Sequence, residues 1–218
     1  MRRFLTFVMV LLLAIPASAQ TNNVHIDQIG SSNVIGITQA GSGNRIGSSL
    51  TPSTITGSSN AVTIVQTGAG NQLDYTINGG DNTVSLTYTG DDNTATLNCG
   101  GNNSTCTNTT ITHNVTGDGN TITTTVTGSD STNTLTVTGS NNTVTTTQSS
   151  NNATQTMTIT GNTNSVTASQ AGAGVHTLTM NVAGDSNTYS IAQSGAVSNT
   201  LVINTTGSSN SVTISQSN

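Results

Sequence analysis

A unit of about eleven residues repeats along most of the chain, and it constrains the fold more than any other feature. The first unit starts at Asn22 and ends in a turn glycine, Gly30. Between them Val24, Ile26 and Gln28 follow at intervals of two residues, which predicts a strand of about seven residues and a tight turn. Unit starts stand at Asn22, Asn33, Asn44, Asn60, Asn71, Asn82, Asn93, Thr109, Asn120, Ser131, Asn142, Ala153, Asn164, His176, Asn187, Asn199 and Asn210.

A single unit cannot bury its apolar side, so the units are expected to stack on one another in an all-β fold. Two units per coil predict a β-solenoid of stacked strand-turn-strand coils with about 22 residues per coil. So flat a coil has a thin core, which agrees with an aromatic content of 2%. Disorder is the alternative for so polar a chain, but charged residues make up only 5% of it and strand-forming Thr, Val and Ile follow the period.

Residues 1–19 have the pattern of a secretory signal peptide. Arg2 and Arg3 precede an apolar run from 4 to 15, and small residues then favour cleavage after Ala19. The run is shorter than the roughly 20 residues of a membrane span, and a membrane anchor is the alternative. Residues 20–218 are then one exported β-solenoid domain.

Two units are about five residues longer than the others and predict insertions in the solenoid. The first insertion lies near 47–57 and contains Pro52, which cannot donate to a β-ladder. The second lies near 99–106 and contains the two cysteines of the chain, Cys99 and Cys106. In an exported protein this pair predicts a disulfide that closes a loop outside the coil, with free thiols or a metal site as alternatives.

Glutamine recurs at one place in the unit, six residues after the start. Stacking would align these inward amides into hydrogen-bonded ladders along the solenoid, whereas the alternative is a polar strand end without such a role. For Gln148 the neighbouring coils are expected to offer Thr or Val in place of Gln. The glutamines at this place are Gln28, Gln39, Gln66, Gln148, Gln170, Gln193 and Gln216.

The pattern Gln-x-Gly-x-Gly-Asn occurs twice in full, and it resembles the repeat of the curlin family. The full copies comprise Gln39, Gly41, Gly43 and Asn44, and then Gln66, Gly68, Gly70 and Asn71. Partial copies or continuations of the frame include Gln28 with Asn33, Gln170 with Gly172, Gln193, Asn210 and Gln216. The resemblance implies a structural subunit of a curli-like amyloid fibre, with roles in adhesion and biofilm matrix. It also implies self-polymerisation at the surface of a Gram-negative cell, with a nucleator subunit and an outer-membrane export pore as partners.

Charge and composition exclude other classes of function. The formal net charge is −5, and Arg45 is the only Lys or Arg beyond the predicted signal peptide, which excludes nucleic-acid binding through a basic patch. The chain has no Glu to pair with an Asp as acid and base, and we expect no catalytic, cofactor-binding or metal-binding residues. Aspartates at the turns leave weak calcium binding as an alternative, although the nonapeptide calcium pattern is absent.

Threonine fills many outward positions and supports a second function. Thr134 and Thr156 are one coil apart, and so are Thr123 and Thr145 on the other face. Flat threonine arrays spaced about 7 Å along strands and 4.8 Å across them are the kind of surface that ice-binding solenoids present. A monomeric surface adhesin is the third possibility. We expect a polymer, because uncapped strand edges recruit further chains and the frame continues to Asn218.

Overall fold

The computed structural model describes residues 21–100 and 106–218, so the predicted signal peptide lies outside the described residues. All regular structure in these residues is β-strand, and neighbouring strands are parallel. The strands are β1 (Asn23–Val24), β2 (Ile26–Ile29), β3 (Val34–Ala40), β4 (Arg45–Ile46), β5 (Ser53–Thr56), β6 (Ala61–Thr67), β7 (Gln72–Asn78), β8 (Thr83–Thr89), β9 (Thr94–Cys99), β10 (Thr110–Thr116), β11 (Thr121–Val126), β12 (Thr132–Thr138), β13 (Thr143–Gln148), β14 (Thr154–Thr160), β15 (Ser165–Gln170), β16 (Thr177–Ala183), β17 (Thr188–Ser194), β18 (Thr200–Thr206) and β19 (Ser211–Ser217).

The strands form two parallel sheets, and the chain alternates between them. The first sheet has the order β1-β4-β7-β9-β11-β13-β15-β17-β19, with β2 and β5 continuing the short strands β1 and β4. The second sheet has the order β3-β6-β8-β10-β12-β14-β16-β18. Partners in adjacent coils are mostly 22 residues apart, as Thr132 and Thr154 are. The predicted β-solenoid with about 22 residues per coil is confirmed.

Alternation along each strand separates the core from the surface. In β12 the side chains of Asn133, Leu135 and Val137 are fully buried, whereas the residues between them are half-buried. Buried positions of successive coils stack into a narrow core between the sheets, in which Ile, Val and Leu predominate. Burying one such side chain contributes roughly 1.5–3 kcal/mol, and a unit achieves this only with units above and below it.

The turns differ from the prediction in one respect. Because Asn tolerates the left-handed conformation, the sequence predicts it at the Asn that starts a unit, whereas in the structure the residue before that Asn adopts it. Gly43 and Gly70 have φ of 69° and immediately precede Asn44 and Asn71. Asp92, with φ of 54°, holds the same place in a later turn. Because the preceding residue makes the tight bend, the Asn itself can direct its side chain into the solenoid, where it is buried.

The first insertion interrupts a strand of the first sheet. Pairing with the neighbouring coils stops at Ile46 and resumes at Ser53, so residues 47–52 separate β4 from β5. The range expected for this insertion, near 47–57, thus includes a strand that pairs with β2 and β7. The core continues across the insertion, because Ile46 and Ile55 are both fully buried.

Cys99 and Cys106 form a disulfide, with Cα atoms 5.4 Å apart. Residues 101–105 between them lie outside the described residues. Both cysteines are fully buried and belong to the hydrophobic core. The Cys106 carbonyl accepts a hydrogen bond from Asn82 Nδ2 at 3.0 Å, so this residue also takes part in coil stacking. The bond itself packs inside the coil, and the loop that it closes lies outside the described residues.

Candidate functional site in the amide ladders and end coils

An asparagine ladder runs along the edge where the chain enters the first sheet. Each Asn donates through its backbone N–H and its Nδ2 to Oδ1 of the Asn one coil earlier, at 2.8–3.3 Å. Several Nδ2 groups also donate to a turn carbonyl of the following coil, as Asn120 does to Gly139 O at 2.8 Å. In the described residues this ladder consists of Asn22, Asn44, Asn71, Asn93, Asn120, Asn142, Asn164, Asn187 and Asn210.

The opposite edge, where the chain enters the second sheet, carries the same ladder in its first coils. Asn60 donates through N–H and Nδ2 to Asn33 Oδ1 at 2.9 and 3.0 Å, and Asn82 repeats these contacts with Asn60. The later starts on this edge are Thr109, Ser131, Ala153, His176 and Asn199. An amide therefore stands on this edge in the first and in the last described coil. The eleven-residue period by itself places these asparagines in turns. Their recurrence at the unit start is the feature of the sequence that could have predicted a ladder.

The glutamines form two separate ladders, one in each sheet. In the second sheet Gln39 Nε2 donates to Gln66 Oε1 at 2.7 Å. In the first sheet each Nε2 donates to the Oε1 of the next coil at 3.0–3.1 Å, and this ladder reaches the last rung. Its members are Gln148, Gln170, Gln193 and Gln216.

Two expectations about the glutamines need correction. Gln148 has Val126 beside it in the preceding coil, as expected, but in the following coil it pairs in register with Gln170 and donates to it. Gln28 is exposed and joins no glutamine ladder in the described residues, because its register partner is Ile55. The register across the first insertion places Ile55 beside Gln28, so no amide stands at this place in the next coil.

The Gln-x-Gly-x-Gly-Asn motif has a structural role for each of its residues. Gln66 is buried in its ladder, and Asn71 enters the asparagine ladder. Gly68 has φ of 115°, and a Cβ there would lie 2.2 Å from the carbonyl oxygen of Gly90 in the next turn. Gly70 provides the left-handed residue ahead of the Asn. The same close approach to the following turn occurs at Gly41 and Gly172.

A chain of buried polar side chains crosses the core between the sheets. His113 Nδ1 lies 3.1 Å from Tyr88 Oη, and its Nε2 lies 2.9 Å from Thr124 Oγ1. Thr146 Oγ1 donates to Thr124 at 3.1 Å and accepts from Asn133 Nδ2 at 3.3 Å. Burial lowers the pKa of His113 to about 4, so the imidazole is neutral at pH 7. All five side chains are buried, which favours a role in holding the core together.

The end coils expose side chains that the middle coils bury. Ile64 and Ile191 are 0% and 2% exposed, whereas Val24 in the first coil is 44% exposed. The inward residues of the end coils that are only partly buried are Ile26, Ile35, Ile37, Leu201, Val212 and Ile214. Each end of the described solenoid is therefore an apolar cross-section of the core, bordered by strands with one unpaired edge.

The ladders leave open hydrogen-bond donors and acceptors at the two ends, and those of one end complement those of the other. At the last rung Asn210 Oδ1 accepts no hydrogen bond and Gln216 Nε2 donates none within the described residues, because a following coil would supply the partner. At the first rung Asn22 and Asn33 keep the N–H groups that donate backwards at Asn44 and Asn60, and Gln39 keeps an open Oε1. Acceptors at one end thus correspond to donors at the other.

The aspartates at the turns take part in stacking as well. Asp91 Oδ1 accepts from Ala69 N at 2.7 Å, and Asp118 Oδ1 accepts from Asp91 N at 2.8 Å. Within 21–100 and 106–218 no three His, Cys or Asp side chains are grouped so as to hold a metal ion. The same residues include no helix long and apolar enough to cross a membrane.

The outward threonines are in register between coils. All seven positions of β12 pair with β14, so the Thr rows of these strands lie side by side. Strands β11 and β13 place Thr123 beside Thr145 on the opposite face. The rows predicted from the 22-residue spacing are therefore present on both sheets.

Comparison with models of protein families gives no match for this chain, and comparisons with curated proteins and with solved structures give none either. The described chain is a repetitive β-solenoid, an architecture consistent with a structural or adhesin-like protein.

Proposed function

We propose that this chain is the structural subunit of an extracellular curli-like amyloid fibre that grows by end-to-end β-strand addition. The observation that carries the proposal is the pair of end coils, which expose inward residues such as Ile37 and Ile214. Strand edges of this kind recruit further strands. A stack of copies would bury both cross-sections and continue the core without a change in the fold of the subunit.

The end strands lack the features that normally block such addition. β3 and β19 contain neither Pro nor Lys, and their inward residues repeat the pattern of the middle coils. The flanks of the solenoid are different, since they present mainly Thr, Ser and Asn. Growth along the axis is therefore favoured over lateral association.

The remaining parts of the proposal concern the route and the partners. The chain is exported after cleavage behind Ala19, crosses an outer-membrane pore and polymerises at the cell surface. Its main partner is a second copy of itself, with a nucleator subunit starting the fibre. The fibre serves adhesion and biofilm matrix, and the subunit has no enzymatic role.

The direct test uses the chain from Gln20 onward, purified in denaturant and diluted into buffer. Electron microscopy is expected to show unbranched fibres, and aligned fibres should give a meridional X-ray reflection at about 4.7–4.8 Å. A chain that stays monomeric at high concentration, or fibres that lack this reflection, would contradict the proposal.

A matched pair of variants tests whether the exposed edge of β19 is the growing surface. At the place of Thr213 in an earlier coil, Gly47 N donates to Leu73 O of the following coil at 2.9 Å. Thr213→Pro removes that donor from the open edge and leaves the pairing with β17 in place. We expect Thr213→Pro to slow fibre growth at least tenfold and Thr213→Val, which keeps the N–H, to grow normally. Equal growth of the two variants would show that this edge is not used.

The registered threonine rows support ice binding as a second candidate function. Thr134 and Thr156 lie side by side in the middle of the array on the second sheet. The Thr213→Pro chain, for which slow fibre growth is expected, allows the test when it is freshly diluted, since it then presents the array on a monomer. Thermal hysteresis that disappears on Thr156→Lys would favour ice binding, and its absence in the parent monomer would exclude it.

A further inference from the structure

We propose that successive subunits of the fibre are related by a half turn about the fibre axis, so that the two sheets exchange from one subunit to the next. This inference rests on the proposed fibre function and specifies the register and symmetry of the junction. In this arrangement β19 pairs with β3 of the next copy, and β18 pairs with β1 and β2 of that copy.

The number of rungs is the first argument for sheet exchange. The described residues fill nine rungs of the first sheet and eight of the second. Since consecutive units alternate between the sheets, the next vacant rung lies in the second sheet beneath β18. A copy that starts there has β1 and β2 in the second sheet and β3 beneath β19 in the first. Stacking like sheet on like sheet would instead leave one rung empty between β18 and the β3 of the next copy.

The turns at the junction are the second argument. Residues 207–210 and 30–33 both read Gly-Ser-Ser-Asn, and sheet exchange places one directly on the other. The chain already contains this stack, because residues 57–60 have the same sequence and lie beneath 30–33. There Ser59 N donates to Ser31 O at 3.0 Å, and the third residue of all three turns has φ between 57° and 60°.

The alternative junction combines turns of different length. Without sheet exchange, the edge that carries residues 30–33 would continue from residues 195–199, a turn that is one residue longer. Within the chain this longer turn follows another of its own length, at 172–176, and Gly174 N donates to Gly195 O at 3.1 Å. Residues 172–176 themselves follow the four-residue turn at 150–153, so turns of different length already stack at one place on this edge, and sheet exchange avoids another such step at the junction.

The glutamine ladders are the third argument. Sheet exchange sets Gln216, the last amide of the first-sheet ladder, against Gln39, the first amide of the second-sheet ladder. The open Nε2 of Gln216 then meets the open Oε1 of Gln39, and the two ladders become one. Like-on-like stacking would set Gln216 against Gln28, whose amide donates to its own turn at Gly30, and would leave Gln39 beside the empty rung.

Sheet exchange also completes both asparagine ladders across the junction. Asn33 of the incoming copy would donate to Asn210 Oδ1, and Asn22 would donate to Asn199 Oδ1, as the corresponding groups do between coils of one chain. On the surface, Asn204 accepts from Asn181 at 2.8 Å, which leaves its Nδ2 to donate to Asp27 of the next copy. Each sheet of the fibre then receives nine rungs from one subunit and eight from the next, a repeat of roughly 82 Å.

Engineered cysteine pairs distinguish the two junctions. Asp27, Thr38 and Ser215 are all exposed and occupy the same outward place in β2, β3 and β19. Sheet exchange sets Ser215 against Thr38, whereas like-on-like stacking sets it against Asp27. Adjacent strands lie about 4.8 Å apart, within the range that a disulfide spans. Because β2 and β3 lie at the opposite end of the chain from β19, any bond between these positions joins two subunits.

Fibres of Thr38→Cys with Ser215→Cys are expected to become covalent chains on mild oxidation, with the junction peptide found by mass spectrometry. Fibres of Asp27→Cys with Ser215→Cys are expected to dissolve into monomers in denaturant after the same treatment. The reverse result, or equal cross-linking of both pairs, overturns sheet exchange while the fibre function stands. If the unsubstituted chain forms no fibres, the proposed function fails and the inference fails with it. Helical reconstruction gives an independent check, with a rotation near 180° and a rise of roughly 41 Å per subunit expected.

Discussion

Replacing Asn120 by Ala removes one rung from the middle of the complete asparagine ladder. The side chain is fully buried and makes four hydrogen bonds. Its Nδ2 donates to Asn93 Oδ1 at 3.0 Å and to Gly139 O at 2.8 Å. Its Oδ1 accepts from the N–H and the Nδ2 of Asn142, each at 3.0 Å. The substitution therefore breaks contacts with the coil above and with the coil below.

The expected loss of unfolding free energy is about 4 kcal/mol, since each bond contributes roughly 1 kcal/mol net. The N–H of Asn142 is affected most, because the substitution removes the oxygen to which it donates and the residue is fully buried. The fold itself should survive, since the opposite edge already has Ala153 at a corresponding place. The variant is thus expected to be folded and to have a measurably lower free energy of unfolding than the parent chain.

Equilibrium unfolding in urea, followed by circular dichroism at concentrations too low for polymerisation, measures this loss. The control is Asn114→Ala, which removes an exposed outward amide from β10 and should change stability by less than about 0.5 kcal/mol. An unchanged slope of the unfolding free energy against urea concentration would show that both variants expose the same surface area on unfolding. If Asn120→Ala costs no more than Asn114→Ala, the ladder does not hold the coils together and the reasoning is refuted.

Two further substitutions test other buried groups. Because burial lowers the pKa of His113 from 6.5 to about 4, the unfolded chain binds a proton in that window and the native chain does not; stability should fall by about 3 kcal/mol from pH 6.5 to pH 4. Urea titrations across this window should show that slope in the parent chain and a much smaller one in His113→Leu, and equal slopes would disprove the assignment. Replacing Cys99 and Cys106 together by Ala should lower stability by about 2–3 kcal/mol, yet fibres should still form because neither residue lies at an end coil. Thermal unfolding and electron microscopy of the double variant check the two halves separately.

The fold could be predicted from the sequence because the same pattern of apolar residues is repeated in every coil. Alternating apolar residues fix the strand faces, and the eleven-residue spacing fixes which residues stack, as the register of Thr132 with Thr154 shows. The position of Cys106 could not be obtained in this way. Its spacing from Cys99 predicts a closed loop, but the packing of both sulfur atoms depends on how the turn returns to the core.

The ladders were harder to predict than the strands, for a physical reason. A period tells which residues share a position, but not whether their side chains reach a neighbour or bend to their own turn. Gln28 and Gln216 occupy the same place in the unit, yet one donates to its own turn and the other accepts from Gln193. The difference depends on the neighbour that each coil meets, and in Gln28 that neighbour is Ile55.

The contacts proposed at the subunit junction are the contacts that already join coils within the chain. Between two coils of one molecule the covalent turn brings Asn60 to Asn33 and Gln66 to Gln39, and it sets the register without any choice. Between two molecules this constraint is missing, and a flat polar ladder alone would allow the sheets to pair in either order. What distinguishes the orders is the length of the turns and the odd number of rungs in the described residues. An insertion of one further eleven-residue unit between β17 and β18 should therefore restore like-on-like stacking and remove the half turn from the fibre symmetry.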